Sequence, residues 1–269
     1  MTDATAPASS DRLRQITVTI SEVLCVLGTL VGVGVFGTRV EESSGGRLAA
    51  DATLIAPAVG AFSIWSVIYL GLAAYTVWQW LPGRAVDPRL RSVGWLAAVS
   101  MLLNAGWLLV TQQGWLVISV VVMLALLATL GELVRRLVVT PASASAGLAE
   151  RVIVDGTFGL YLGWVCVATC ANIAATLVAN GVSATGGFAV TATVVVLVVV
   201  ALVGWFLAGR LAGQPALALG IVWGLAWVAI GRLTDQPAST TVGITAAVVA
   251  IVVAGVFARQ WRAGASQPA

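Results

Sequence analysis

The sequence predicts an all-α, polytopic transmembrane bundle of about eight spans, and three observations carry that expectation. Hydrophobic residues fill 59% of 269 positions and charged residues 9%, with a mean hydropathy of +1.00, against about 45–50% and 25% in soluble domains. A spanning helix takes about 20 apolar residues, so this composition supplies roughly eight of them. The charges also fall between long charge-free intervals, and a charge at a helix centre costs roughly 2.5–3.5 kcal/mol on insertion scales. The partner this implies is the lipid bilayer. Disorder is excluded by the same composition, and nucleic acid by a net charge of +3 scattered over isolated arginines.

The charge-free intervals locate the spans in order. The first covers residues 16–37 if Glu22 is tolerated near one end, and the second lies within 52–83. The interval 92–131 is too long for one helix and breaks at Gln112, Gln113 and Gly114, a polar turn between spans three and four. The interval 156–209 divides likewise at 180–187 into spans five and six, and 211–231 and 236–258 each hold one more. The organisation expected is a cytoplasmic tail over 1–15, a five-helix membrane domain over 16–180 and a three-helix extension with a short tail over 181–269.

An even number of spans puts both termini on one face. All 14 basic residues are arginines; eleven then fall on the side of the termini, against Arg39, Arg47 and Arg232 on the other. Cytoplasmic loops collect arginine, so a cell-membrane protein with cytoplasmic termini is expected. The start shows no convincing A-x-A cleavage site, and the first span reads as a retained anchor. Two connections exceed turns. Residues 38–53, with Glu41, Glu42, Gly45 and Gly46, read either as a solvated linker or as a lid over an outward-facing pocket; residues 135–155, with Pro141, read as a flexible cytoplasmic loop.

Tryptophan is the unusual component, at 11 residues. Trp78, Trp80, Trp95, Trp115, Trp205 and Trp261 sit near span ends, where indoles belong at headgroup level. Trp65, Trp107, Trp164, Trp223 and Trp227 fall well inside their spans. At about 100° per residue, Trp65, Tyr69, Thr76 and Trp80 share a sector of roughly 60°, as do Asn104, Trp107 and Thr111; Tyr161, Trp164, Ala168 and Asn172 share roughly 80°. A carboxamide or phenol without a partner in hydrocarbon costs several kcal/mol, so these stripes should turn inward. There they serve as interhelical glue, or they line a slot for a planar apolar guest.

These residues resemble those of the TspO/MBR family of tryptophan-rich sensory proteins. Trp65 and Tyr69 match its W-x-x-x-Y segment; Leu103, Asn104 and Trp107, followed by Gly114 and Trp115, are similar to its L-N-x-x-W and later G-W. Tyr161, Leu162, Trp164, Ala168, Thr169 and Asn172 match Y-L-A-W-x-x-x-A-T-x-x-N, with Gly163 at its Ala. The resemblance covers residues 16–180. It implies a five-helix bundle, often a homodimer, around a pocket for porphyrins and other flat ligands, with the first connection covering it. Carried over, Trp65, Tyr69, Asn104, Trp107, Tyr161, Trp164 and Asn172 would line the pocket and Ala168 would leave space. No resident cofactor is implied; a porphyrin or related tetrapyrrole would be bound as ligand.

No acid, base or nucleophile constellation identifies a catalytic residue, and the chain has no histidine. Cys166 and Cys170, one turn apart without a further ligand, read as packed thiols rather than a metal site. Sterol is not expected, since no arginine follows Tyr69, Tyr75 or Tyr161 at the spacing of the cholesterol-type motif. Gly28 and Gly32 form a G-x-x-x-G that suits either dimerisation or packing within the chain. Glu22 reads either as a proton or cation site or as an acid near a span end that reaches the headgroups, and Glu132 with Arg135 and Arg136 as a helix-end salt bridge. The expected function is a membrane sensor or binding protein for a planar hydrophobic ligand. A transporter of a hydrophobic or amphipathic small molecule and Trp-dependent photo-oxidation of porphyrin are the alternatives.

Overall fold

Eight helices, each long and apolar enough to cross a membrane, organise the computed structural model, which describes residues 7–142 and 147–265. Residues 1–6 of the tail, 143–146 of the Ser/Ala-rich connection and the last four residues lie outside the described residues. The helices are α1 (Ser9–Gly32), α2 (Ile64–Trp78, preceded by a 3-10 turn at Val59–Ser63), α3 (Pro88–Gln112) and α4 (Leu116–Val139). They continue with α5 (Thr157–Ala179, extended backward by a π turn at Arg151–Gly156), α6 (Gly186–Arg210), α7 (Pro215–Thr234) and α8 (Thr240–Ala265). The first five close a ring in which α1 packs on α3, α3 on α4, α4 on α5, and α2 bridges α5 and α1. Outside that ring α7 lies along α5, α8 along α7, and α6 along α8.

Local chemistry sets the turns. Asp87 accepts from the Arg89 N–H at 2.9 Å ahead of Pro88, a capped start for α3. Gly114, with φ +71°, makes the tight reversal into α4 that the Gln112–Gln113–Gly114 break predicts. Several boundaries differ from the sequence expectation: the first helix ends at Gly32 rather than 37, and the connection expected over 135–155 is helical through Val139 and again from Leu148. The first helix begins at Ser9 rather than 16, because its charged first turns are paired. Arg91 donates to Asp11 at 2.7 Å, and Arg14 donates to the Ala85 carbonyl at 2.8 Å. Glu22 consequently lies mid-helix and buried, with both carboxyl oxygens lacking a hydrogen-bond partner, not two turns from an end. The second helix begins near Val59 rather than 52, because apolar residues 52–58 pack across the end of the bundle instead of spanning it.

Polar contacts concentrate at the end that carries the termini. Gln15 and Gln79 exchange side-chain to backbone bonds at 2.5 and 3.1 Å, tying α1 to α2. Glu132 holds Arg135 at 2.6 Å and Arg136 at 2.7 Å, the helix-end salt bridge expected. Arg89, 5% exposed, donates to the Thr140 carbonyl at 2.8 Å and pairs with Glu150 and Asp155, while Glu150 also takes Arg84 at 2.7 Å. Removing one member of a buried pair strands the other charge and costs about 3–5 kcal/mol. Arg89→Leu is therefore expected to destabilise the detergent-solubilised protein by about 3 kcal/mol. A thermal midpoint unmoved by that change would contradict the assigned role of the network.

Glycines set the helix spacing. A Cβ at Gly28 would stand 3.1 Å from Ala105, and one at Gly32 2.5 Å from the Leu108 side chain, so this G-x-x-x-G packs α1 on α3 of the same chain. Of the indoles assigned to span ends, Trp80, Trp95, Trp115, Trp205 and Trp261 are exposed on the bundle's surface. Trp78 lies under the Arg84 guanidinium at 4.4 Å.

Candidate functional site

The stripes on α2, α3 and α5 converge near the end of the ring opposite the termini. Trp65 is their hub. It stacks on Tyr69 one turn along α2, ring centroids 5.3 Å apart and 17° from parallel, and meets Tyr161 and Trp164 of α5 edge-on at 5.8 and 6.1 Å. Phe62, from the 3-10 turn, meets Trp164 at 6.1 Å. Such edge-to-face and offset pairs are each worth about 0.5–1.5 kcal/mol beyond their buried area.

Two chambers flank this cluster. The inner one, about 50 Å³, is lined by Trp65, Trp107, Met123, Trp164, Ala168 and Asn172. The outer one, about 360 Å³, lies between α1, α2 and α3 and includes Thr29, Phe62, Trp65, Tyr69, Trp107 and Arg39. Val40, Phe62, Trp65 and Trp107 belong to both, so they form the partition. Residues 47–57 close the inner chamber, presenting Arg47, Leu48, Ala49, Ala52, Thr53, Ala56 and Pro57. The connection after α1 is thus a lid. Its first half is fastened to α3: Gln112 exchanges two bonds with Thr38 at 2.7 and 3.1 Å, and the Ser44 hydroxyl donates to the Thr111 carbonyl at 2.7 Å. Ser44, Gly45 and Gly46 have φ of 55°, 69° and 75°, and two glycines let the chain hold that left-handed turn.

Of the eight residues picked from sequence, Trp65, Tyr69, Trp107, Trp164, Ala168 and Asn172 line a chamber. Asn104 and Tyr161 stand behind it. The Asn104 amide donates to the Tyr69 hydroxyl at 3.0 Å and toward Cys25 Sγ at 3.5 Å, while the Tyr161 hydroxyl donates to the Ser100 carbonyl at 3.4 Å. Both are glue of the kind that averages about 0.6 kcal/mol. Asn172 does both jobs: it lines the inner chamber while its amide donates to Ser119 Oγ at 3.0 Å. The indole N–H groups of Trp107 and Trp164, 7% and 1% exposed, have no acceptor. Among the described residues no His, Cys, Asp and Glu cluster could hold a metal ion.

A family model of TSPO-like proteins matches residues 17–258. The chain belongs to the TSPO-like family. No curated protein and no solved structure matches it. In this TSPO-like chain the match continues past residue 180 through α6, α7 and most of α8. It is a multi-pass membrane protein whose helical bundle is of the TspO type.

Sequence reasoning missed what α7 contributes. The Trp223 indole donates to the Ala61 carbonyl at 2.9 Å, and the Ala58 N–H donates to the Trp227 carbonyl at 3.1 Å. The Trp227 ring lies where a side chain on Gly60 would be. The Trp223–Trp227 pair, 5.8 Å apart, therefore braces the turn that carries Phe62 and Trp65. A signal existed. Gly159 and Gly163 on α5, and Gly220 and Gly224 on α7, repeat the small-xxx-small spacing noted for Gly28 and Gly32, and they mark this crossing.

Proposed function

We propose that this TSPO-like protein binds a planar, hydrophobic small molecule carrying hydrogen-bond acceptors, a porphyrin or related tetrapyrrole being the class that its residues suit. The observation that carries the reading is the pair of buried indole N–H donors of Trp107 and Trp164, unpaired beside one aromatic chamber. A buried donor without an acceptor costs about 1–3 kcal/mol, which an acceptor atom on the guest would relieve. The rings of Trp65 and Trp164 offer stacking faces, and Arg39 and Arg47, one at each chamber, suit peripheral carboxylates. Asn172 and Tyr69 lie within reach of polar edges. By the arginine asymmetry the termini face the cytoplasm, so the lid would face the opposite side of the cell membrane.

Protoporphyrin IX titrated into the protein in nanodiscs is expected to quench tryptophan emission saturably at one molecule per chain, with a Kd below about 10 μM. Quenching that rises linearly, with no saturation and no dependence on protein, would overturn the reading.

A further inference from the structure

The inner chamber, at about 50 Å³, has room for little more than a few water molecules, whereas drug-sized ligands occupy sites of about 300–1,000 Å³. A planar guest therefore reaches Trp164 and Asn172 only if the chamber widens, and residues 47–57 are the stretch of its wall that belongs to no helix. What holds those residues decides when that happens.

The second half of the lid has no helix of its own and is held from outside the five-helix ring. Arg232, in the last turn of α7, is 1% exposed. Its guanidinium donates to the Ala50 carbonyl at 2.9 Å and the Thr53 carbonyl at 3.3 Å, both on the lid, and to the Pro237 carbonyl at 2.9 Å after α7. The planar fork suits several carbonyls at once, and an arginine is always charged. Ala49, Ala52 and Thr53, beside the bonded carbonyls, face the inner chamber. The bond from Ala58 to Trp227 secures the end of the same segment.

We propose that Arg232 is the latch of the lid, so that α7, and through it the helices beyond the ring, sets how fast a guest enters and leaves the inner chamber. Arg232 does not itself line the chamber and acts as a positioning residue through Ala50 and Thr53. The kinetic arm of this inference rests on the ligand reading above; the exchange arm does not.

The test uses the full chain in nanodiscs. With Arg232→Met, amide hydrogen exchange over residues 47–57 is expected to accelerate at least ~10-fold while the amides of α3 and α5 keep their protection. Protoporphyrin IX dissociation should accelerate by a similar factor. A second variant, Ala58→Cys with Gly231→Cys, covers the case in which Arg232→Met fails to fold. A Cβ at Gly231 stands 3.3 Å from Ala58 Cβ, close to disulfide reach. Oxidised, and verified by peptide mapping, this pair should slow lid exchange and protoporphyrin association at least ~5-fold, and reductant should restore both.

Unchanged lid exchange in folded Arg232→Met, or an oxidised cross-link that leaves lid exchange untouched, would overturn the latch. Loss of protection throughout the bundle in Arg232→Met, with the cross-link without effect, would do so too, by showing a general structural role. If the wild-type chain binds no protoporphyrin, the ligand reading falls while the exchange measurements still decide the latch.

Discussion

Replacing Trp65 and Trp164 together by alanine is expected to weaken protoporphyrin IX binding by about 100-fold. Stacking of a flat π system on an aromatic side chain is worth about 1–3 kcal/mol per ring, so losing two faces amounts to about 3 kcal/mol. The two residues differ in their structural burden. Trp65 is half-buried and lines both chambers; Trp164 is 1% exposed and packs against Phe62 and Trp65. Truncating a buried tryptophan to alanine costs about 3–5 kcal/mol of stability, so a melting curve must accompany the titration. Trp164→Phe separates the two effects, because it keeps a ring and removes the donor. That change is expected to weaken binding about 3–10-fold, since a hydrogen bond contributes about 0.5–1.5 kcal/mol net, at a smaller stability cost than alanine because the cavity left is smaller. Binding by the folded double variant within twofold of wild type would remove the aromatic cluster from the site.

The largest structural effect is expected where α5 and α7 cross. A Cβ at Gly220 would stand 2.5 Å from the Leu160 carbonyl oxygen and 2.7 Å from the Trp164 nitrogen. A Cβ at Gly163 would meet the Leu217 carbonyl oxygen and come within 2.9 Å of Gly220 Cα. These are backbone atoms, which cannot rotate aside as a side chain would. Gly220→Val therefore has to push α7 off α5, and should cost at least the ~3 kcal/mol at the upper end of ordinary overpacking, a melting shift on the order of 10 °C. It should also loosen the lid, since Arg232, Trp223 and Trp227 ride on the displaced helix. Gly255→Ala supplies the contrast: nothing lies within 4 Å of that position in α8, so the change should be neutral or stabilise by up to about 1 kcal/mol. A melting midpoint for Gly220→Val equal to that of Gly255→Ala would refute the tight crossing.

How far the site could be read in advance follows from what each residue does. Trp65, Tyr69, Trp107 and Trp164 were legible because a large polar-tipped ring at mid-span has few neutral explanations, and helical spacing put them on single faces. Asn104 and Tyr161 share those faces yet lie behind the chamber, since periodicity gives an angle around a helix axis and not a distance from the bundle's centre. A connection longer than a turn was legible from Glu41, Glu42, Gly45 and Gly46, but linker and lid were not told apart. Its continuation to residue 58 was not legible, because Leu54, Ile55 and Ala56 are as apolar as a spanning helix and are buried for a different reason.

Arg232 shows the remaining gap most clearly. In sequence it is one arginine on the sparsely charged side; in the fold it reaches carbonyls 179 and 182 positions earlier in the chain. By itself the amino-acid order determined the solvent, the helix count and the faces that must avoid lipid, because water–hydrocarbon transfer acts on each segment separately. Which faces meet, how little room they leave and what restrains the lid were decided only by tertiary structure. Those properties depend on atoms from distant segments coming within a few ångströms of one another, and steric fit between them has no expression in a one-dimensional pattern.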